Sequence, residues 1–463
     1  PVFLLGLPSG ALADILDRRR YFMVTQFWVA GIATFTCFIV LMGWMNAPLL
    51  LMLTFANGVG LAMRWPVFAA VIPEIVPRPQ LPAALALNGV AMNASRIIGP
   101  LVAGAVIASA GSAWVFVLNA ALSLIAAFII MRWRREHKES PLGRERLASA
   151  MRVGLQFVRQ SQRMRGILLR ISLFFVHSTA LLALLPLVAR ALPGGQAGTF
   201  TLLLAAMGSG AIVSALLMTR VRRLMSMERL LLAGTVLQSA AMLVVAFASS
   251  IFIAVPAMFF AGTAWIAVAN SLTVAAQMAL PDWVRARGMS IYQMSLMGAT
   301  AAGAALWGQV ATLSSIHTAL AAAAVSSVVA TLLAQRVAAD RGIEEDLTPS
   351  NVFKVPVAQA PPAAGRVQVQ IEYRIDPART AEFLALMQES RRSRMRQGAL
   401  AWELLHDLYD PARLVEQITD ESWTEHLRRF DRVTADDVAL RDRKLAFHVG
   451  QEPPAVTRYL LER

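Results

Sequence analysis

Charged residues suited to a turn between two helices cluster near the start of the chain. Gly10 and Asp14 come first, and three arginines, Arg18, Arg19 and Arg20, follow in a row. Glycine permits close helix approach or a positive φ. The aspartate can pair with the arginines or face the N-terminus of another helix. We therefore predict a gating loop in which Asp14 acts as a gate residue and not as a substrate ligand.

Arginines inside apolar segments form a second group of residues that could have a chemical role. Arg64 and Arg96 lie within long apolar runs, where inserting a guanidinium costs at least about 2.5–3.5 kcal/mol. Each should face a cavity, as a contact for an anionic substrate or as a gate, or else extend to the interface as a structural residue. Asn93, Asn270 and Gln293 are further cavity candidates, equally consistent with interhelical hydrogen bonds.

Aromatic and imidazole side chains gather in the last hundred residues. Trp402, His406, Trp423 and His426 are candidates for the lining of a small pocket. The alternative is that the tryptophans belong to a core and the histidines lie on the surface. Because no metal-ligand spacing, nucleotide loop or nucleophile motif occurs, we predict no catalytic residue, no metal site and no cofactor.

The composition places most of the chain in a lipid bilayer. Of the 463 residues, 57% are hydrophobic, above the roughly 45–50% of soluble domains, and the mean hydropathy is +0.55. The net charge of +14 does not indicate a nucleic-acid partner, because most of the excess lies in short loops between apolar runs. In such loops arginine sets membrane topology.

Ten complete helical spans are expected after the opening loop, each long enough to cross about 30 Å of hydrocarbon. The chain starts inside an apolar segment, so we expect residues 1–9 to be the end of a cut span, with one span and most of a second missing. Basic residues occupy alternate connections, which predicts a cytoplasmic opening loop and C-terminus. The spans are expected at approximately 21–44, 48–72, 83–110, 113–133, 167–191, 196–219, 228–248, 251–275, 286–310 and 314–336.

Five segments are expected along the chain. Residues 1–133 form an incomplete first membrane half, and residues 166–338 form the second. Between them, 134–165 is a basic amphipathic linker on the inner membrane surface. Residues 339–365 form a second linker. Residues 366–463 have the element order β-α-β-β-α-β, which is typical of a ferredoxin-like α+β domain, here placed in the cytoplasm.

A weak internal repeat supports the two membrane halves. The first half has a Pro-Glu pair at 73–74 followed by Arg78, just before a span. The second half has a Pro-Asp pair at 281–282 followed by Arg285 and Arg287. The two groups fall at the register that a duplication requires.

The opening loop resembles the signature G-x-L-A-D-R-x-G-R-R of the major facilitator superfamily. The residues that agree with this signature are Gly10, Leu12, Ala13, Asp14, Arg19 and Arg20. Ile15 replaces its usual basic residue, and Asp17 or Arg18 replaces its second glycine. The resemblance implies an all-α polytopic fold and secondary transport by alternating access, with two halves moving about a site near the midplane.

A second resemblance concerns the direction of transport. Gly99, Pro100 and Gly104 resemble the superfamily's antiporter motif in the fifth span, which implies export. The alternative is ordinary packing between small residues of neighbouring helices. The arginine of the fourth-span pattern R-x-x-Q-G in proton-coupled members is replaced by Thr54, so proton coupling is implied by the family alone.

The C-terminal run 422–430 and the preceding hairpin resemble the antibiotic-biosynthesis-monooxygenase group of dimeric α+β barrels. A transporter followed by this domain resembles the transmembrane secretion effectors, a family that includes enterobactin exporters. The resemblance implies a siderophore or drug-like small molecule as substrate, the bacterial inner membrane as location, and homodimerisation through the C-terminal domain.

Two alternatives stay open. The first is a membrane-tethered, cofactor-free monooxygenase that acts through residues 366–463. The second is a truncated transporter without flux. The leading hypothesis is a non-enzymatic exporter whose partners are the bilayer and a small molecule.

Overall fold

The computed structural model describes residues 1–133, 142–192, 197–337, 346–350, 352–353, 355–356 and 364–462, without the side chains of some residues in the helices. It divides into two compact units, each described by itself. The helical unit consists of Pro1–Arg135, Gly166–Met278 and Met289–Arg341, and the mixed unit of Glu136–Arg165, Ala279–Gly288 and Gly342–Arg463. The five-segment division remains a prediction.

Twelve helices precede the sheet in the described part of the chain, and all but two of them have 20 or more residues. They are α1 (Val2–Ile15), α2 (Arg18–Leu41), α3 (Ala47–Ile75), α4 (Leu81–Ala110), α5 (Ser112–Arg132), α6 (Leu147–Gln160), α7 (Gln162–Ala191), α8 (Ala197–Leu224), α9 (Met227–Ala246), α10 (Ile251–Met278), α11 (Arg285–Leu313) and α12 (Ile316–Val337).

Eight of these helices are long and apolar enough to cross a membrane by length and composition, namely α2, α3, α5, α7, α8, α9, α10 and α12. Helix is the structure that satisfies backbone hydrogen bonds inside lipid. The expected spans at 83–110 and 286–310 coincide with α4 and α11, which have the required length but are not among the eight. The fold is therefore polytopic and helical, and the count of ten complete spans remains a prediction.

Glycines allow α8 and α10 to pack with their backbones in contact. A Cβ atom at Gly210 would lie 1.9 Å from the carbonyl oxygen of Phe259, and one at Gly262 would lie 1.8 Å from that of Met207. The Thr263 hydroxyl donates to the Gly210 carbonyl at 3.2 Å. Small residues at such crossings replace the hydrophobic driving force that lipid does not supply.

The mixed unit contains a four-stranded antiparallel sheet in the order β2-β3-β1-β4. Alternating apolar residues form these strands, and charged amphipathic helices cover one face. The elements are β1 (Arg366–Arg374), α13 (Thr380–Arg396), β2 (Ala401–His406), β3 (Arg413–Asp420), α14 (Trp423–Asp431), α15 (Ala435–Leu445) and β4 (Ala455–Leu461).

Helix α15 is absent from the predicted element order. Its sequence is mostly charged, so it has little apolar periodicity. Thr434 and Asp437 form a reciprocal capping box at its start, and the T-x-x-D spacing is the sequence signal that indicates it.

Candidate functional site

Charged residues of the opening loop form an ion pair with each other. The Asp14 carboxylate pairs with the Arg18 guanidinium at 3.0 Å, and the two side chains are only 1% and 9% exposed. Arg18 also donates from Nε to the Ala13 carbonyl at 3.3 Å. Gly10 is buried within α1, one turn before the aspartate. The loop is thus a compact, internally paired turn.

Asp17 has a structural role that the sequence analysis did not assign. Its side chain accepts hydrogen bonds from the backbone N–H of Arg19 at 2.8 Å and of Arg20 at 3.3 Å, so it caps α2. The Arg19 side chain donates to the carbonyls of Ile130 and Met131 at the end of α5. Arg20 is exposed. An aspartate just before a helix is the usual signal of such a cap.

A polar contact joins the first and second halves inside the helical unit. The Trp65 indole N–H on α3 donates to the Gln293 amide oxygen on α11 at 3.0 Å. Gln293 was a predicted cavity candidate, and Trp65 is the partner that sequence reasoning missed. An indole N–H buried among helices requires an acceptor, but spacing along one chain does not identify which one.

The other polar candidates of the helical unit remain separate. Arg64 is half-buried on α3 and forms no ion pair with a described residue. The Asn270 amide nitrogen on α10 is buried without a hydrogen-bond partner in the described part of the chain, beside Gly89 of α4. The side chains of Asn93 and Arg96 lie outside the described residues.

The glycines of the antiporter-like motif do not lie at a close helix crossing in the described part of the chain. Gly99 and Gly104 are exposed, and no described atom lies within 4 Å of a Cβ placed at either. The Pro100 side chain lies outside the described residues. Two backbones approach each other closely at other glycines of the described chain, among them Gly210, Gly262 and Gly303.

Three segments of the mixed unit meet at one buried carboxylate, and we call this the Glu145 cluster. Glu145 pairs with Arg287 at 2.6 Å and with Arg432 at 2.9 Å. Arg432 also contacts Glu425 at 3.2 Å. Burial alone would raise the pKa of Glu145, but the two guanidinium groups outweigh it and hold that pKa below its usual value.

Aromatic and small residues shape the surroundings of the Glu145 cluster. The Arg432 guanidinium lies 5.0 Å from the ring centroid of Trp283, within cation–π range. Trp283 in turn meets Phe157 of α6 edge to face at 5.7 Å. A Cβ at Gly154 would lie 2.9 Å from Cβ of Arg287, so α6 approaches Arg287 closely at that glycine. The linker helix, the 279–288 connection and the C-terminal segment thereby share one core.

A second buried carboxylate lies between the sheet and α15. Glu416 on β3 accepts hydrogen bonds from Trp402 at 3.0 Å and Ser390 at 2.8 Å, and it pairs with Lys444 at 3.2 Å. Burial would raise the pKa of Glu416, but Lys444 and Arg394 hold it far below its usual value. Burial lowers the pKa of Lys444 to about 8, against the opposing effect of Glu416.

The four predicted pocket residues do not share one site. Trp402 bonds to Glu416, whereas His406 is exposed at a strand end and contacts the Pro411 carbonyl at 3.0 Å. Trp423 packs on His426, with the ring centroids 5.4 Å apart. Of the four, His426 lines a cavity of about 300 Å³ in the described part of the mixed unit. The other three are not among the residues that line this cavity.

Similarity to solved structures defines the class of protein. The chain is similar to the Escherichia coli fucose:proton symporter, with a TM-score of 0.60 and 17% identity over 72% of this chain and 88% of that one. It is also similar to the human organic anion transporter MFSD10, with a TM-score of 0.58 and 16% identity over 72% and 81%. Together with the apolar helices, these likenesses define a multi-pass membrane protein with the major facilitator fold.

The family follows from the sequence as a whole. Residues 1–463 match the transmembrane secretion effector family, and the chain belongs to it. It is 26% identical over 164 residues to an uncharacterized MFS-type transporter, YfiS, of Bacillus subtilis (strain 168), which is 35% of this chain and 38% of that protein. It is 21% identical over 249 residues to the staphyloferrin A transporter of Staphylococcus aureus (strain NCTC 8325 / PS 47), which is 53% and 62%. The chain thus spans less than two thirds of either relative.

Proposed function

We propose that this protein is a secondary transporter that exports a small molecule, a siderophore or a drug-like compound, by alternating access. The observation that carries the proposal is the match of the whole chain to a family of transmembrane secretion effectors. The relative named as a staphyloferrin A transporter supports the siderophore class. The similar symporter supports proton coupling.

The hydrogen bond between Trp65 and Gln293 is the structural feature that supports this proposal, because it joins the two halves. Alternating access moves two halves about a central site, so polar contacts between α3 and α11 must break and form again in each cycle. Asn270, Arg64, Asn93 and Arg96 are the candidates for substrate contact, since a polar group within a span is a functional hypothesis by default.

A flux measurement tests the transport proposal. The purified chain is reconstituted in proteoliposomes, and release of a catecholate siderophore and of a cationic drug is followed with and without a proton gradient. We expect gradient-dependent flux of at least one compound. Trp65→Phe keeps the ring but removes the donor, so it should change the rate, whereas Trp114→Phe, at an exposed tryptophan of α5, should not. No flux of any candidate under any ion gradient would refute the proposal.

The location and orientation form part of the same proposal. Loop arginines favour the inner membrane with the mixed unit on the cytoplasmic side. Leu408, 95% exposed, and the buried Cys37 offer a labelling test. In a Leu408→Cys variant, a membrane-impermeant maleimide should react in inverted vesicles and not in spheroplasts. Reaction in intact spheroplasts would place the mixed unit outside.

The C-terminal part is proposed as a ferredoxin-like domain of the monooxygenase-like group that dimerises and does not catalyse. The sheet order and antiparallel pairing agree with this proposal. Leu405 and Tyr459 are 45% and 49% exposed and lie on the sheet face away from the helices, a suitable pairing surface. Leu405→Lys should shift the purified full chain from dimer to monomer in native mass spectrometry. A wild-type monomer would contradict the pairing.

A further inference from the structure

The mixed unit holds a cavity of about 300 Å³ between the inner face of the sheet and the helices. This volume is at the lower end of the range for small-molecule sites, about 300–1,000 Å³. Val369 and Ile418 form a buried apolar floor, and Phe430 adds an aromatic wall. Val456 on the edge strand β4 is 44% exposed, so the cavity opens beside that strand. An apolar body of one or two fused rings fits these dimensions.

Cationic side chains predominate around this apolar floor. Lys444 and Arg394 line the cavity and share the carboxylate of Glu416. Arg429 also lines it and forms two hydrogen bonds of 2.9 Å with Asp420. Glu416 and Asp420 pair with these three cations, and Asp437 is a third carboxylate that acts on Arg394 and Lys444. The charges of these six groups therefore balance, and a net positive charge has to come from a further cation.

Arg458 is a fourth cation, at the mouth of the cavity. No described carboxylate lies within salt-bridge distance of it. Its Nε donates instead to His426 Nε2 at 3.2 Å, while His426 Nδ1 lies 2.8 Å from Asp420. Since Nε2 accepts, the imidazole is neutral and donates from Nδ1 to the carboxylate. The Asp420–His426 pair therefore orients the Arg458 guanidinium without neutralising it.

We propose that this cavity binds an amphipathic organic anion, an aryl or alkyl carboxylate whose apolar body rests on Val369 and Ile418 and whose carboxylate pairs with Arg458. A guanidinium matches a carboxylate bidentately, and an apolar floor beside one convergent charge is the usual design of a small-molecule site. The proposal concerns binding within the mixed unit, so its test does not depend on flux.

The same helix connects this site to the Glu145 cluster. His426 and Phe430 of α14 line the cavity. Glu425 of the same helix, and Arg432 at its C-cap, contact each other, and Arg432 pairs with Glu145. A ligand that displaces α14 therefore changes the cluster that holds the linker and the 279–288 connection. The site accordingly acts as a sensor, in which ligand occupancy alters the cohesion of the mixed unit.

Binding of 2-naphthoate to the purified full chain in detergent tests the proposal by isothermal titration calorimetry. Naphthalene-2-carboxamide has the same rings without the charge, and empty micelles report partition into detergent. Arg458→Gln removes the counter-ion, and Val369→Trp fills the floor. Arg374→Gln is the matched control, since it removes an arginine that is 59% exposed on a neighbouring strand. Hydrogen exchange of β1 and β3 verifies that each variant is folded.

We expect saturable binding of 2-naphthoate to the wild type. Arg458→Gln should raise its dissociation constant at least about tenfold, as expected for a charge-assisted hydrogen bond. Val369→Trp should abolish binding, and Arg374→Gln should leave it unchanged. Binding should slow exchange in the peptide 423–432. Equal affinity for the neutral amide, unchanged binding in folded Arg458→Gln or folded Val369→Trp, or no saturable binding to the wild type would each overturn the proposal.

Discussion

Two connections between membrane helices each contain a buried arginine, and the two arginines obtain their carboxylate partners in different ways. In the opening loop, Asp14 and Arg18 lie four residues apart, on either side of the break between α1 and α2, and form an ion pair. In the 279–288 connection, the buried Arg287 obtains its carboxylate from Glu145, 142 positions earlier in the chain. Glu145 also serves Arg432, 287 positions away. The ion pair of the first loop is formed within the loop, although Arg19 also donates to carbonyls of α5. The ion pairs of the second connection depend on the linker and the C-terminal segment.

This difference has an energetic consequence. A buried ion pair adds little net stability when both partners are present, but removing one partner leaves an uncompensated charge and costs about 3–5 kcal/mol. In the opening loop, the Asp14–Arg18 ion pair that is lost joins residues only four positions apart. In the Glu145 cluster, the loss extends to three segments of the mixed unit.

The largest effect is expected from Glu145→Gln. It leaves Arg287 and Arg432, whose side chains are 3% and 5% exposed, without their shared carboxylate. The free energy of local opening should fall by about 3–5 kcal/mol, measured by hydrogen exchange of α6 and α14 in the full chain. Glu389→Gln is the control, because its pair with Arg443 is about half exposed and worth about 0–1 kcal/mol. Equal effects of the two variants would show that the buried Glu145 contributes no more than an exposed ion pair.

Acid should produce a similar loosening of the mixed unit. The pKa of Glu145 lies below its ordinary value of 4.5. The unfolded state therefore binds more protons as the pH falls below about 4.5, and stability declines there. The pKa values of Glu416 and Asp420 are also lowered. Subtracting the stability of Glu145→Gln from that of the wild type at each pH therefore isolates the contribution of Glu145. Identical acid profiles of wild type and variant would show that Glu145 does not titrate with folding.

Asp14→Asn should affect the rate of transport and not its selectivity. Loss of the pair with Arg18 disturbs one turn, so we expect flux in proteoliposomes to fall about tenfold, which corresponds to about 1.4 kcal/mol. Asp17→Asn makes the same charge change three positions later but keeps a capping side chain, and its flux should stay near wild type. A change in substrate preference for Asp14→Asn would assign this residue to the substrate site.

The smallest effect is expected at the cap of α2. Asp17→Ala removes the acceptor for the first-turn N–H groups, which costs about 1 kcal/mol in typical helices. Hydrogen exchange of the first turn of α2 should accelerate by about fivefold, while Asp17→Asn keeps most of the protection. Accelerated exchange in α6 as well would show that the effect of Asp17→Ala extends beyond the opening loop.

These two regions also explain what the sequence could predict. The opening loop was recognisable because its signature residues lie within eleven positions and follow a known pattern of residue types. The apolar runs likewise predicted the long helices, because span length is fixed by the bilayer. The Glu145 cluster was not predictable, since nothing along the chain indicates that Glu145, Arg287 and Arg432 meet.

The C-terminal segment shows the same limit on a smaller scale. Alternation predicted its strands, and Glu416 and Asp420 occupy the inward register of β3. That register indicates a buried carboxylate, but it does not identify Lys444 or Arg429 as the counter-ion. Trp402 and His426 were predicted to line one pocket, yet they belong to different hydrogen-bond networks. Residue types indicate candidate site residues, whereas the fold determines which residues form ion pairs and hydrogen bonds with them.

The most direct test of alternating access is a distance distribution between the two halves of the helical unit. Nitroxide labels are placed at Trp44→Cys and Phe252→Cys, both at exposed positions, in a Cys37→Ser background. Pulsed electron resonance on the reconstituted chain should resolve two distance populations, whose ratio shifts with pH or with a transported siderophore. A single distance, unchanged under every condition, would contradict alternating access and with it the proposed transport function.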